Sequence, residues 1–176
     1  MTEASSTAVR AGTDKYLTFR LDVEEYGVDI LKVREIVGLL PITHVPKTQE
    51  FIAGVVNLRG KIIPVLDLRR KFGMGHVEDT DVTCIVVVDT VQAGDDVLMG
   101  LLVDTVSEVV DISADDIESA SCFGDALDSH YILGLAKHRS GVKILLNIES
   151  VLAEPGLLEL TTTVAEQALA AANEEV

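Results

Sequence analysis

FIAGVVNLRGKIIPVLDLRRKF, residues 51–72, sets two apolar β-branched runs on either side of Asn57-Leu58-Arg59-Gly60. The first run, Phe51 to Val56, and the second, Ile62 to Leu68, have the length and composition of strands, and the tetrapeptide between them supplies a reversal. The stretch therefore reads as a complete β-hairpin, closed by Arg69-Arg70-Lys71. Gly60 takes the positive φ that a tight reversal needs, which leaves Arg59 at the exposed tip. A charged group held on a short turn between two strands is well placed for recognition. Pro64 has no amide to donate, so its strand is expected at an edge or a bulge of the sheet.

The hairpin recurs eighty positions later, without a gap, as YILGLAKHRSGVKILLNIESVL, residues 131–152. Phe51 falls on Tyr131, Gly54 on Gly134, Arg59 on Arg139, Leu66 on Leu146 and Asp67 on Asn147. An earlier block repeats at a shift of 73, setting Gly27 to Ile30 on Gly100 to Val103 and Val33 to Val37 on Val106 to Val110. Each half carries both blocks in the same order. Two copies, where a solenoid or propeller would need more, point to a pair of packed β-barrels.

Taken in order, Met1 to Lys15 reads as a flexible tail, and Tyr16–Leu21 and Glu25–Ile30 as a strand pair around an acidic turn, continued by Lys32–Val37. Pro41 and Pro46 deny helix to the connector Leu39–Pro46, and Thr48–Glu50 suggests one helical turn. The Gly-containing, acidic segment Gly73–Asp81 is the natural boundary between the halves. Thr83–Val88 and Val97–Val103 follow as strands, then Asp111–Asp128 as a long acidic loop anchored by Ile117 and Phe123. The resulting division is a tail at 1–14, barrels at 15–80 and 81–152, and a C-terminal helix with an acidic tail at 153–176. That helix rests on the spacing of Leu157, Leu160, Val164, Ala168 and Ala171.

Charge is divided as unevenly as structure is repeated. The net charge is −15, which disfavours nucleic acid and anionic membrane surfaces. Residues 1–72 sum to +2 and residues 73–176 to −17, an asymmetry that favours head-to-tail docking with a partner of similar construction. No apolar run approaches the ~20 residues of a membrane helix. The two cysteines, Cys84 and Cys122, are expected as free thiols, and the four histidines lack metal-ligand spacing, so no metal or other cofactor is expected.

Catalytic signatures are missing too: there is no GxSxG, no phosphate-binding glycine loop and no Cys-His nucleophile motif. Asp67 and Asp104 are a carboxylate pair that the fold could bring together, and solvated or turn-capping carboxylates are the simpler reading. The chain is therefore read as a non-enzyme.

YLTFRLDVEEYGVDILKVREI at 16–36, GVVNLRGKIIPVLDLRRKF at 54–72 and GLLVDTVSEVV at 100–110 resemble the CheW family of bacterial chemotaxis coupling proteins, and are similar also to the regulatory domain of the histidine kinase CheA. The resemblance runs from about Lys15 to Leu152. It implies an all-β fold of two packed SH3-like five-stranded β-barrel subdomains, here followed by a short C-terminal helix. By the same resemblance, the chain is a cytoplasmic adaptor that joins methyl-accepting chemotaxis receptors to CheA in membrane-associated arrays, without inserting into the membrane. Val33, Glu35, Arg59, Val106 and Val109 match positions the family turns toward the receptor tip, although Val106 and Val109 read equally well as strand core. Gly54, Ile117, Glu118 and Phe123 match the family's kinase-contacting regions, with Glu118 standing where some relatives have arginine. A coupler for another receptor-kinase pathway, such as surface motility, fits the same residues. A small carboxylate-dependent hydrolase is the alternative of a different class.

Overall fold

In the computed structural model, which describes residues 13–74, 78–92, 94–119, 131–139 and 141–153, almost every apolar run becomes a strand. In chain order these are β1 (Thr13–Leu21), β2 (Glu24–Asp29), β3 (Val33–Gly38), β4 (Ile52–Leu58) and β5 (Lys61–Asp67), followed by a one-turn helix, α1 (Leu68–Lys71). The second part holds β6 (Cys84–Gln92), β7 (Asp95–Val103), β8 (Thr105–Ser113), β9 (Ile117–Ser119), β10 (Ile132–His138), β11 (Gly141–Leu146) and a second one-turn helix, α2 (Ile148–Val151). One sheet runs β8-β1-β2-β11-β10-β9 and the other β3-β6-β7-β5-β4. We call these barrel A and barrel B.

The expected all-β fold of two subdomains is present, with the short β9 as a sixth strand in barrel A. Each barrel encloses its own apolar cluster: Tyr16, Val110, Ile112, Ala136 and Leu145 in A, and Val56, Ile63, Val65, Ile85 and Val87 in B. The largest cluster lies between them and draws on both, with Leu17, Phe19 and Leu146 from A packed with Leu66, Val86 and Leu101 from B. Burial of this shared layer makes the two barrels one unit, since each alone would expose a broad apolar face.

The repeat is real, and its two copies are exchanged. Val65 of β5 pairs in parallel with Gly100 of β7, while Leu145 of β11 pairs in parallel with Gly27 of β2. These are the same pairing under the two sequence shifts, each made to the other copy. Barrel A thus takes β1 and β2 from the first repeat and its remaining strands from the second; barrel B takes β3, β4 and β5 from the first and β6 and β7 from the second. Small features repeat as well. Both hairpins shift register at the glycine, between Ile52 and Gly54 and between Ile132 and Gly134. Asp67 and Asn147 cap α1 and α2 with their side chains, and their backbone amides donate to Phe51 and Tyr131 at 2.7 and 2.8 Å.

Several sequence expectations change. The division at 80/81 falls inside barrel B, because the segment after α1 leads to β6 of the same sheet. The chain changes sheets instead at Ile30–Lys32 and at Asp104. Thr13, Asp14 and Lys15 are not tail but the start of β1, since β8 offers them an extended partner and Lys15 pairs with Asp111 at 2.8 Å. Thr48–Glu50 forms no helix, and the connector turns instead at Pro46–Lys47, where Lys47 has φ +63°. Pro64 lies on an interior strand, which costs no ladder bond because the parallel register with β7 starts one residue later, at Val65. Asp111–Ser119 is ordered as the end of β8, a 3-10 turn and β9, where a loop was expected. Met1–Gly12, Phe123 and the C-terminal segment beyond Ala153 lie outside the described residues.

Candidate functional site

The hairpin tip carries the residue singled out from sequence. Arg59 and Gly60 both have positive φ, +51° and +85°, the signature of a two-residue type I′ turn, and the Asn57 side chain accepts from the Gly60 amide at 2.8 Å. Gly60 adopts that conformation freely; Arg59 is held there by its neighbours. Its guanidinium projects to the surface and forms an ion pair with Glu35 of β3, so the hairpin tip is tied across to the edge strand of the same barrel. Arg34 beside it pairs with Asp89 of β6 at 3.2 Å.

The five receptor candidates separate into two kinds. Glu35 and Arg59 are in direct contact. Val33 and Val106, equivalent under the 73-residue shift, are half-buried and both pack on the shared inter-barrel cluster. Val109 is 48% exposed and its equivalent Ile36 is 44% exposed, so β8 and β3 each present one apolar side chain outward. Val106 is thus part core and part surface, and Val109 is surface.

The kinase candidates fall at two equivalent places. Gly54, with φ +142°, lets the connector close on β4: a Cβ there would stand 2.1 Å from the Thr43 carbonyl oxygen, while Thr43 and Val55 exchange backbone hydrogen bonds at 2.8 and 2.9 Å. Its counterpart Gly134 admits β9 in the same way, with a Cβ position 2.6 Å from the Glu118 carbonyl oxygen. Glycine is thus required by close approach at both sites, where the segment it admits covers the strand. Ile117 packs on the barrel A cluster, and Glu118 is exposed in an ion pair with Lys137 at 3.4 Å.

Two arrangements were missed in the sequence. Arg69, in a run that reads as an exposed basic cap, is only 2% exposed and donates to Asp67 at 3.0 and 3.2 Å, to Asp79 at 3.1 Å and to Asp104 at 3.1 Å. Burial opposes its charge, and the hydrogen bonds and fields of Asp67, Asp79 and Asp104 outweigh that and hold it protonated. Asp67 and Asp104 do come together, as ligands of this guanidinium, and Asp67 also caps α1. This leaves them committed to structure instead of acid-base work. The signal available was an Asp two residues before an Arg at the end of a buried strand. The second arrangement is aromatic: Phe51 and Tyr131, matched by the repeat, both flank the Lys71 ammonium, at 4.2 and 4.8 Å from their ring centroids. A cleft of about 440 Å³ opens beside them, walled by Tyr26 and Phe72.

Cys84 is a buried free thiol, pushed up by burial, and Cys122 lies outside the described residues. Among the described residues no group of histidine, cysteine and carboxylate side chains is arranged to hold a metal ion, and no helix is long and apolar enough to cross a membrane.

Two interlocked SH3-like barrels with an exposed, charged hairpin tip define a protein-interaction scaffold. Residues 15–156 match the model of the CheW-like domain. The chain is 40% identical over 138 residues to the chemotaxis protein CheW of Klebsiella aerogenes, covering 78% of this chain and 81% of that one. It is 30% identical over 151 residues to CheW of Rhizobium meliloti, covering 86% and 94%. The crystal structure of the scaffolding protein TtCheW from Thermoanaerobacter tengcongensis superposes with a TM-score of 0.71 at 36% identity, covering 81% of this chain and 94% of that one. The chain belongs to the CheW-like family, a family of non-catalytic chemotaxis scaffolds.

Proposed function

We infer that this chain is a chemotaxis adaptor that couples the cytoplasmic tips of methyl-accepting receptors to the regulatory domain of the kinase CheA, in arrays at the membrane. The observation that carries this reading is the Glu35–Arg59 pair beside Val33, on a scaffold of the CheW-like family. An apolar anchor next to an acid and a guanidinium suits one face of a receptor helix: Val33, Val106 and Val109 supply area, and Glu35 and Arg59 fix register. A receptor carboxylate competes with Glu35 for Arg59, and a receptor cation is taken by the Glu35 that is released.

The kinase docks at two edges, that of the connector at Thr43, which closes on Gly54, and that of β9, with Ile117 and Glu118, which closes on Gly134. Because the two edges are equivalent under the repeat and lie on different barrels, one adaptor can hold two kinase domains or neighbours of similar construction. Glu118, in its ion pair with Lys137, asks for a basic group on the partner at that edge.

The test is reconstitution of the purified full chain with a CheA regulatory domain and a receptor cytoplasmic fragment. Co-elution with each, and kinase activation by receptor only when the chain is present, is the expected result. Failure to bind both, or activation that is indifferent to the chain, overturns the reading.

A further inference from the structure

Both strands that carry apolar receptor candidates are irregular at those candidates. In β8, Val109 lies opposite Leu17 of β1 and Val106 opposite Phe19, so three steps along β8 match two along β1. Ser107 and Glu108 together oppose Thr18, which makes a β-bulge of one extra residue. In β3, Val33 lies opposite Val88 of β6, Glu35 opposite Val87 and Ile36 opposite Val86, again with one residue too many. The 73-residue shift sets Val33 on Val106 and Ile36 on Val109, so the two bulges occupy equivalent places.

The bulge decides where the β8 valines point. Side chains alternate along a regular strand, so residues three apart lie on opposite faces. The extra residue returns Val106 and Val109 to one face. Leu17 and Phe19, two apart on β1, both pack in the layer shared by the barrels, and Val109 and Val106 stand opposite them on that side. In a strand without the bulge, either Val106 would leave the shared layer or Val109 would turn into barrel A.

A buried hydroxyl holds this bulge. β1 alternates as well, with Tyr16 in the barrel A cluster and Leu17 and Phe19 in the shared layer, which directs Thr18 into barrel A, where it is 0% exposed. A bulge interrupts the ladder, and the Thr18 hydroxyl makes up for the interruption. It donates to the Glu108 carbonyl at 2.8 Å and accepts from the Glu108 amide at 3.2 Å. Ser107, the other bulge residue, donates its hydroxyl to Glu25 of β2 at 3.1 Å. The β3 bulge is held at the surface instead, where Arg34 pairs with Asp89 at 3.2 Å.

We propose that Thr18 is a positioning residue for the receptor-facing surface: its hydroxyl fixes the β8 bulge, and the bulge aims Val106 and Val109 at the same partner. The partner rests on the adaptor reading, whereas the clamp rests on the geometry of β1 and β8. Valine has the shape of threonine without the hydroxyl, and serine keeps the hydroxyl without the methyl group, so the two substitutions separate shape from hydrogen bonding.

The test compares Thr18→Val and Thr18→Ser in the full chain, at a temperature where circular dichroism shows each to be folded; Thr18→Ala replaces Thr18→Val if the latter does not fold. Amide exchange is read first, without partners. The Glu108 amide is expected to exchange about tenfold faster in Thr18→Val and near the parent rate in Thr18→Ser, while the amides of β6 and β7 in barrel B keep the parent rate. Affinity for a receptor cytoplasmic fragment is expected to fall about tenfold in Thr18→Val, because a misdirected valine forfeits its apolar contact, and to return in Thr18→Ser. Affinity for a CheA regulatory domain is expected to stay within about twofold in both. An unchanged Glu108 rate in Thr18→Val overturns the clamp. Equal losses of receptor and kinase binding, or a loss that Thr18→Ser does not restore, make Thr18 a purely structural residue and overturn the positioning role. A parent chain that binds neither partner while Glu108 responds as expected overturns the adaptor reading, and the receptor role with it, and supports the clamp.

Discussion

Replacing Arg59 by asparagine separates what the hairpin tip does for the fold from what it does for a partner. Arg59 holds a left-handed backbone conformation, φ +51°, that costs an ordinary residue about 1–2 kcal/mol and asparagine considerably less. The substitution also removes the ion pair with Glu35, but the Arg59 side chain is 69% exposed, and solvent screening limits such a pair to about 0–1 kcal/mol. The two terms leave Arg59→Asn between neutral and about 1 kcal/mol more stable than the parent. For a chain of this size, that raises the melting temperature by up to roughly 3 °C. Binding moves the other way. Loss of a charge-assisted hydrogen bond to a receptor carboxylate costs about 2 kcal/mol, or roughly thirtyfold in affinity. The measurements are thermal unfolding and receptor-dependent kinase activation on the same preparation. A variant that melts several degrees lower would refute the strain argument, and one that melts as expected but activates normally would refute the receptor role.

Other substitutions probe the remaining features. Gly54→Ala is expected to destabilise by about 3 kcal/mol or more, since its methyl group would meet the Thr43 carbonyl oxygen, whereas Gly60→Ala, with open space around it, should cost about 1 kcal/mol; urea unfolding measures both. Arg69→Met takes from Asp67, Asp79 and Asp104 the buried cation they share, leaving Asp67 the half-exposed Arg70 at 3.7 Å, and should cost about 3–5 kcal/mol at neutral pH, while Arg70→Met should cost under about 1 kcal/mol. Burial raises the Cys84 thiol, so the folded state holds that proton where the unfolded chain releases it. Stability is full below the ordinary thiol value of 9.0 and falls as pH rises through the raised one. Tyr16 and Tyr26, also raised by burial, extend the loss above 10.0. Denaturation midpoints across alkaline pH should show this fall, and Cys84→Ala should remove its first part.

The hairpin was legible in the sequence because a turn, two alternating runs and a glycine all act over a few residues. The two barrels were legible through repetition. Their exchange was not, because a repeat states which residues are equivalent and is silent about which copy pairs with which. The parallel contacts that settle it, Val65 with Gly100 and Leu145 with Gly27, join distant parts of the chain. The boundary drawn at Gly73–Asp81 followed turn chemistry, a local signal, whereas the actual crossings at Ile30–Lys32 and Asp104 carry almost none. The helices α1 and α2 are too short for a helical period to show, and their caps Asp67 and Asn147 were visible in the sequence as matched repeat positions alone. At the candidate site, Arg59 and Glu35 were readable separately and their contact was not. The burial of Arg69 was hidden because a basic triplet at a strand end ordinarily faces water.

The exchanged repeats have a consequence for how such a molecule can exist at all. In this fold the entry strand pair and the hairpin of one copy each pair in parallel with those of the other, so a chain with a single copy would reproduce these contacts by trading them with a second chain. Two such chains would assemble only as far as their concentration allowed. Joining them end to end makes the encounter internal, at an effective concentration in the millimolar range or above, and so removes dilution as a way of taking the scaffold apart. It also releases the two halves to diverge, and the +2 and −17 charges of residues 1–72 and 73–176 record how far they have gone. Each barrel holds strands of both repeats, so a face on either one is built by the whole chain and not by half of it.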